Sequence, residues 1–183
     1  MPDTEVAESF PDLLRAQIRQ GFTAAQQYLA AAVYFDSLRL PQLAGHSYGR
    51  SREQHAHALR MVQYLLDRDL DVRISGLDEI HSTFESPRAA IAFLLETEQA
   101  RSTMLGGLVR AARADGDYLG ERFIQWFLEE QVRDTAGMTT LLSVLDRAAG
   151  ELFDVEEFIA RELRVRHRAD TRAPRMAGTA RIN

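Results

Sequence analysis

Apolar residues recur along this chain at three- and four-residue intervals, over stretches too long for strands. Leu14, Ile18, Gly21, Ala25, Tyr28, Ala32 and Phe35 form the first such stripe, the spacing of an amphipathic helix. It predicts a helix over 10–37. Leu38-Arg39-Leu40 breaks the pattern, and Pro41 suits a first helical turn, where its missing N–H would have no partner anyway. A second helix is predicted over 41–68, with Leu43, Ser47, Arg50, Gln54, His57, Met61 and Tyr64 on one face. That face is polar in its middle. Residues 69–86 carry no sustained helical period. Ser86-Pro87 supplies a side-chain cap and a first-turn proline. The third helix, over 87–114, lines up Ile91, Leu94, Glu98, Leu105, Leu108 and Ala112. Asp115-Gly116-Asp117 reads as a tight turn with its own cap. A fourth helix over 117–149 places Phe123, Phe127, Glu130, Asp134, Leu141 and Leu145 on a stripe bordered by Gln131, and Gly150 ends it. A shorter fifth helix is predicted over 151–165. Residues 1–166 then form one bundle domain, and 167–183, rich in Arg, Ala and Thr, read as a mobile tail.

Connection lengths set the topology. The first and third connections are short, so each joins an antiparallel pair. The second is about 18 residues, which spans roughly 59 Å when extended. A helix of about 27 residues is roughly 40 Å long. The long connection can therefore run the whole bundle and leave the second and third helices parallel. The fold class expected is all-α, a four-helix bundle with one long crossover and a short fifth helix.

Composition narrows the chemistry. The chain has 183 residues and no Cys, which removes disulfides, thiolate metal sites and thiol catalysis. Its net charge is −5, which argues against non-specific nucleic-acid binding. The longest apolar run, residues 28–35, falls short of a membrane span. The first residues show no secretory signal, so a cytoplasmic protein without membrane or nucleic-acid partners is expected.

Counted from the two short connections, Gly21, Gln54, His57, Glu98, Glu130 and Gln131 fall near mid-height of the bundle. Polar groups converging there need partners or a metal. A di-metal bundle site takes Glu from two helices and Glu-x-x-His from others; here part of that set is present. The surrounding segments Leu14-Arg-Ala-Gln-Ile-Arg-Gln-Gly-Phe-Thr-Ala-Ala-Gln-Gln-Tyr28, Glu53-Gln-His-Ala-His57 and Trp126-Phe-Leu-Glu-Glu-Gln131 resemble the motifs of ferritins. Asp67-Arg-Asp-Leu70 and Gly116-Asp-Tyr-Leu-Gly120 fit the same family, and the resemblance is closest to haem-free actinobacterial ferritins.

The resemblance implies a cytoplasmic iron-storage shell of twenty-four subunits, open to co-assembly with a catalytic ferritin subunit, with the fifth helix at the four-fold axes. It also assigns the centre position by position. His57, Glu98 and Gln131 match family residues at or beside the metals, and Tyr28 matches the tyrosine near them. Gly21 stands where ferritins carry a terminal glutamate ligand, and Gln54 where they carry the bridging one. The Fe(II)-oxidising activity of the family is therefore expected to be weak or absent. Glu53, Glu130 and Asp134 match a third, inner-surface iron site, with Arg133 in place of a further acid. They are the substitute ligands if the chain does oxidise iron. A cage that has left iron storage for another ligand is the remaining alternative. His55 occupies the position of the haem-ligating Met of bacterioferritins, although haem is not expected. Gly49, Arg50 and Arg52 make mineral nucleation on the second helix poor. Glu121 could line an entry channel, and His46 and His81 are expected at the surface or as caps.

Overall fold

The computed structural model describes residues 9–163 and 170–179. Five helices follow one another, α1 (Phe10–Ser37), α2 (Pro41–Asp67), α3 (Pro87–Ala114), α4 (Tyr118–Ala148) and α5 (Leu152–Glu162). The boundaries sit where the chain supplies caps. Ser9 Oγ accepts from the Asp12 amide at 3.4 Å, Ser86 Oγ from Ala89 at 3.1 Å and Asp117 Oδ1 from Gly120 at 2.9 Å. These bonds satisfy donors that a helix start leaves unpaired. The α3–α4 turn uses Gly116 at φ 67, a left-handed conformation that glycine adopts without cost. α5 ends at Glu162, and the last two positions of the predicted fifth helix lie outside the described residues, as does the 166/167 boundary.

The crossover tracks α1 from end to end. Arg15 Nε donates to the Asp71 carbonyl at 2.8 Å, Gln20 Nε2 to Asp78 at 2.7 Å, and the Gln27 amide pairs both ways with the His81 backbone at 2.8 and 2.9 Å. Tyr34 and Phe84 then meet ring to ring at 5.2 Å. The chain thus returns to the end of the bundle where α2 began, so α3 runs parallel to α2.

The apolar interior is in two parts. One holds Tyr28, Phe35, Leu43, Leu94, Leu141 and Ile159; the other holds Phe10, Leu14, Met61, Leu105 and Phe127. Between them lies a buried polar layer of Gln54, His57, Glu98, Arg101 and Gln131. On α4, Gln131 is buried with Ile124, Phe127 and Met138, while Glu130 and Asp134 flank that face half-buried. Phe127, Leu141 and Leu145 are buried as the stripe predicts, whereas Ile124, Gln131 and Met138, at seven-residue steps, take the core positions in place of Phe123, Glu130 and Asp134.

Residues 170–179, part of the stretch read as a tail, make specific contacts with α2 and α4. The Trp126 indole donates to Asp170 at 3.1 Å, the Ala177 amide to the Leu59 carbonyl at 3.1 Å, and Arg60 to the Pro174 carbonyl. Among the described residues no helix is long and apolar enough to cross a membrane.

Candidate metal centre

Helical spacing brings six polar side chains from the four long helices into the mid-height layer. Gln54 and His57 lie one turn apart on α2; Glu98 and Arg101 lie one turn apart on α3. Gln131 projects from α4, and Tyr28 reaches in from α1. Among the described residues Glu98 is the one buried acidic side chain, at 2% exposure.

Its carboxylate is surrounded by donors. Oε1 accepts from the Tyr28 hydroxyl at 2.6 Å, from Arg50 Nη2 at 3.1 Å and from Gln54 Nε2 at 3.3 Å; Oε2 accepts from Gln131 Nε2 at 2.7 Å. Burial alone would raise the Glu98 pKa. The guanidinium groups of Arg50 and Arg101, with the hydrogen bonds from Tyr28 and Gln131, outweigh it and hold the carboxyl below its ordinary value. Burial and the neighbouring carboxylate push the Tyr28 hydroxyl well up, so it stays a donor.

Arg50 is the hub of this arrangement. Besides Glu98, its Nη1 lies 2.7 Å from Glu53 Oε2 and 2.7 Å from Asp134 Oδ1, and its guanidinium sits 5.5 Å from the centre of the Tyr28 ring. Burial works against its charge, but the carboxylates of Asp134 and Glu98 hold it protonated. Arg101 is equally buried, and its Nε and Nη1 have no hydrogen-bond partner. Sequence reasoning missed Arg101. It follows Glu98 by three on the predicted α3 face, and that spacing was the available signal.

His57 packs edge-on against Trp126 and Phe127, with ring centres 5.4 and 5.7 Å away. Burial, with Arg101, Arg50 and Arg60 nearby, holds its pKa well below the ordinary value, so the imidazole is neutral. Gly21 is buried on α1 against Ala58 of α2. A Cβ added there would stand 3.0 Å from the Ala58 Cβ, so helix contact fills the space a side chain would take.

The remaining candidates are dispersed. Glu53 and Asp134 are bridged by Arg50, whereas Glu130 is paired with Arg133 on the adjacent turn. Among the described residues no three His, Asp or Glu side chains cluster closely enough to share a metal ion. Glu121 pairs with Arg113 at 2.7 Å. His55 is exposed and meets Phe22 edge-on at 5.2 Å. His81 is also exposed. His46 departs from the surface or capping role expected of it. It lines a cavity of about 180 Å³ with Arg50, Glu53 and Asp134, and its Nδ1 is buried without a partner. Burial, reinforced by Arg50, pulls its pKa down to about 4. The cause is the turn of α2, which puts His46 one helical turn before Arg50 on the side facing α4.

Residues 11–148, spanning all four long helices and the whole of this layer, match the ferritin-like domain. The chain belongs to the ferritin family. Ferritin BfrB of Mycolicibacterium smegmatis is 49% identical over 93% of this chain and 94% of its own. Ferritin BfrB of Mycobacterium tuberculosis is 50% identical over 92% of this chain and 93% of its own. Among solved ferritins, an open-pore ferritin from Archaeoglobus fulgidus superposes with a TM-score of 0.80 at 25% identity, covering 85% of this chain and 96% of that one. These likenesses fit the expected all-α bundle and crossover. Within a ferritin bundle, the layer described here is a hydrogen-bonded network around one buried carboxylate and the Arg50 guanidinium, with the Arg101 guanidinium buried beside it.

Proposed function

We propose that this chain is a shell-forming ferritin subunit for intracellular iron storage whose own centre binds Fe(II) weakly and oxidises it little or not at all. A shell of twenty-four subunits, shared with a catalytic ferritin subunit, would then take up iron that the partner subunit oxidises. The observation that carries the reading is the saturation of Glu98: both carboxylate oxygens already accept from Tyr28, Arg50, Gln54 and Gln131. Iron in either state favours carboxylate and imidazole donors. Here the acid is engaged, Gln54 offers a neutral amide, and Gly21 offers nothing. Of the layer's groups, only neutral His57 is left to a metal. Haem is not part of the reading.

The test is aerobic Fe(II) oxidation by iron-free protein, followed by ferric absorbance. The expected rate equals that of buffer, and shells mixed with an active ferritin subunit should oxidise in proportion to that subunit. Turnover by the protein alone well above buffer would overturn the reading and return the metals to Glu53, Glu130 and Asp134.

A further inference from the structure

Two buried guanidinium groups set the charge of the polar layer, and they are held very differently. Arg50 is fixed by Glu53, Glu98 and Asp134. Arg101, 4% exposed, keeps Nε and Nη1 without hydrogen bonds. Burying a guanidinium with donors unpaired is unfavourable, so packing alone gives no account of it. Glu98 precedes it by one turn on the same face of α3, and its charge is felt by both Glu98 and, on α2, His57. A divalent ion approaching Glu98 would have to displace Arg50 from Oε1 and would then face two buried positive charges in a medium that screens them poorly.

We infer that Arg50 and Arg101 are the specificity-determining residues of the centre: buried cations that neutralise Glu98 and exclude divalent metals, Arg50 by occupancy and both by repulsion. This rests on the weak iron binding proposed above and deepens it. Loss of carboxylates explains a site that binds poorly; resident guanidinium groups make a site that stays closed even when a carboxylate is restored. The layer is a replacement of metal charge by side-chain charge.

The test uses Co(II) as probe, read by its visible absorption bands and by calorimetry on metal-free shells. Gln54→Glu restores one carboxylate without changing size, giving Glu98, His57 and position 54 as three donors. Arg50→Gln and Arg101→Met are added singly and together, and His57→Ala in each background reports whether binding is at the centre. The unmodified protein and Gln54→Glu should show no more than weak His57-dependent binding. Removing either arginine from Gln54→Glu should tighten it at least about tenfold, and removing both about 100-fold. Arg101→Met breaks no hydrogen bond from Nε or Nη1, so Gln54→Glu/Arg101→Met decides the question if the triple variant does not assemble. Equal affinity with and without the arginines would overturn the inference while leaving the proposed function standing. Tight His57-dependent binding by the unmodified protein would overturn both.

Discussion

His57 and His46 show how strongly single residues feel the charge of this bundle. Both imidazoles are held neutral by burial and by nearby guanidinium groups, His46 with a pKa of about 4. An unfolded chain would protonate each near pH 6.5, so below that pH the unfolded state binds more protons and stability falls as pH falls, down to about pH 4 for His46. Each imidazole contributes at most about 1.4 kcal/mol per pH unit across that window. Glu98 acts lower. Its depressed pKa gives stability that is present above the ordinary carboxyl range and lost only as pH drops through the folded value. The expected outcome is a thermal midpoint that declines from pH 7 to pH 5, and a shallower decline in the His46→Gln/His57→Gln variant. An unchanged slope would place the acid sensitivity elsewhere.

Pairs of helices meet on terms their sequences only partly announce. At Gly21 the α1–α2 contact is so close that an added Cβ would lie 3.0 Å from Ala58 Cβ. Helix propensity alone favours Gly21→Ala by about 1 kcal/mol. Crowding against Ala58 should cancel most of that gain, and Ala58→Gly should release it. A double-mutant cycle on thermal or denaturant midpoints is expected to give a coupling of about 0.5–1 kcal/mol; additive effects would show that the helices separate freely. The helices themselves were legible because Ser86-Pro87, Pro41 and Gly116 punctuate them with chemistry that acts locally. The crossover was legible from length alone. The site was half legible: Glu98, His57, Gln54 and Gln131 could be placed by period and resemblance. The hub role of Arg50 could not, although the residue lay on the predicted stripe, because which carboxylates a guanidinium reaches depends on three helices at once. Arg101 was passed over because a charged side chain inside a bundle contradicts the expectation that guanidinium groups stay in water.

At the scale of the molecule, α5 completes what α2 lacks. Leu40 offers no side-chain cap, and Glu156 of α5 accepts from the Gln42 and Leu43 amides at 2.8 and 2.9 Å. A carboxylate at a helix N-terminus is favourable both as acceptor and against the helix dipole. Glu156→Ala should therefore destabilise by about 1–2 kcal/mol and expose the amides of α5 to hydrogen exchange first; unaltered exchange there would mean that α5 is held by Val155 and Ile159 alone. The four donors around Glu98 have a wider consequence. A native state that gains binding free energy from a ligand depends for its stability on the supply of that ligand. Here the buried carboxylate is satisfied by the chain itself, so a chelator should leave the thermal midpoint unchanged. The subunit would fold equally well in a starved cell and a replete one, and empty shells could stand ready before any iron arrives.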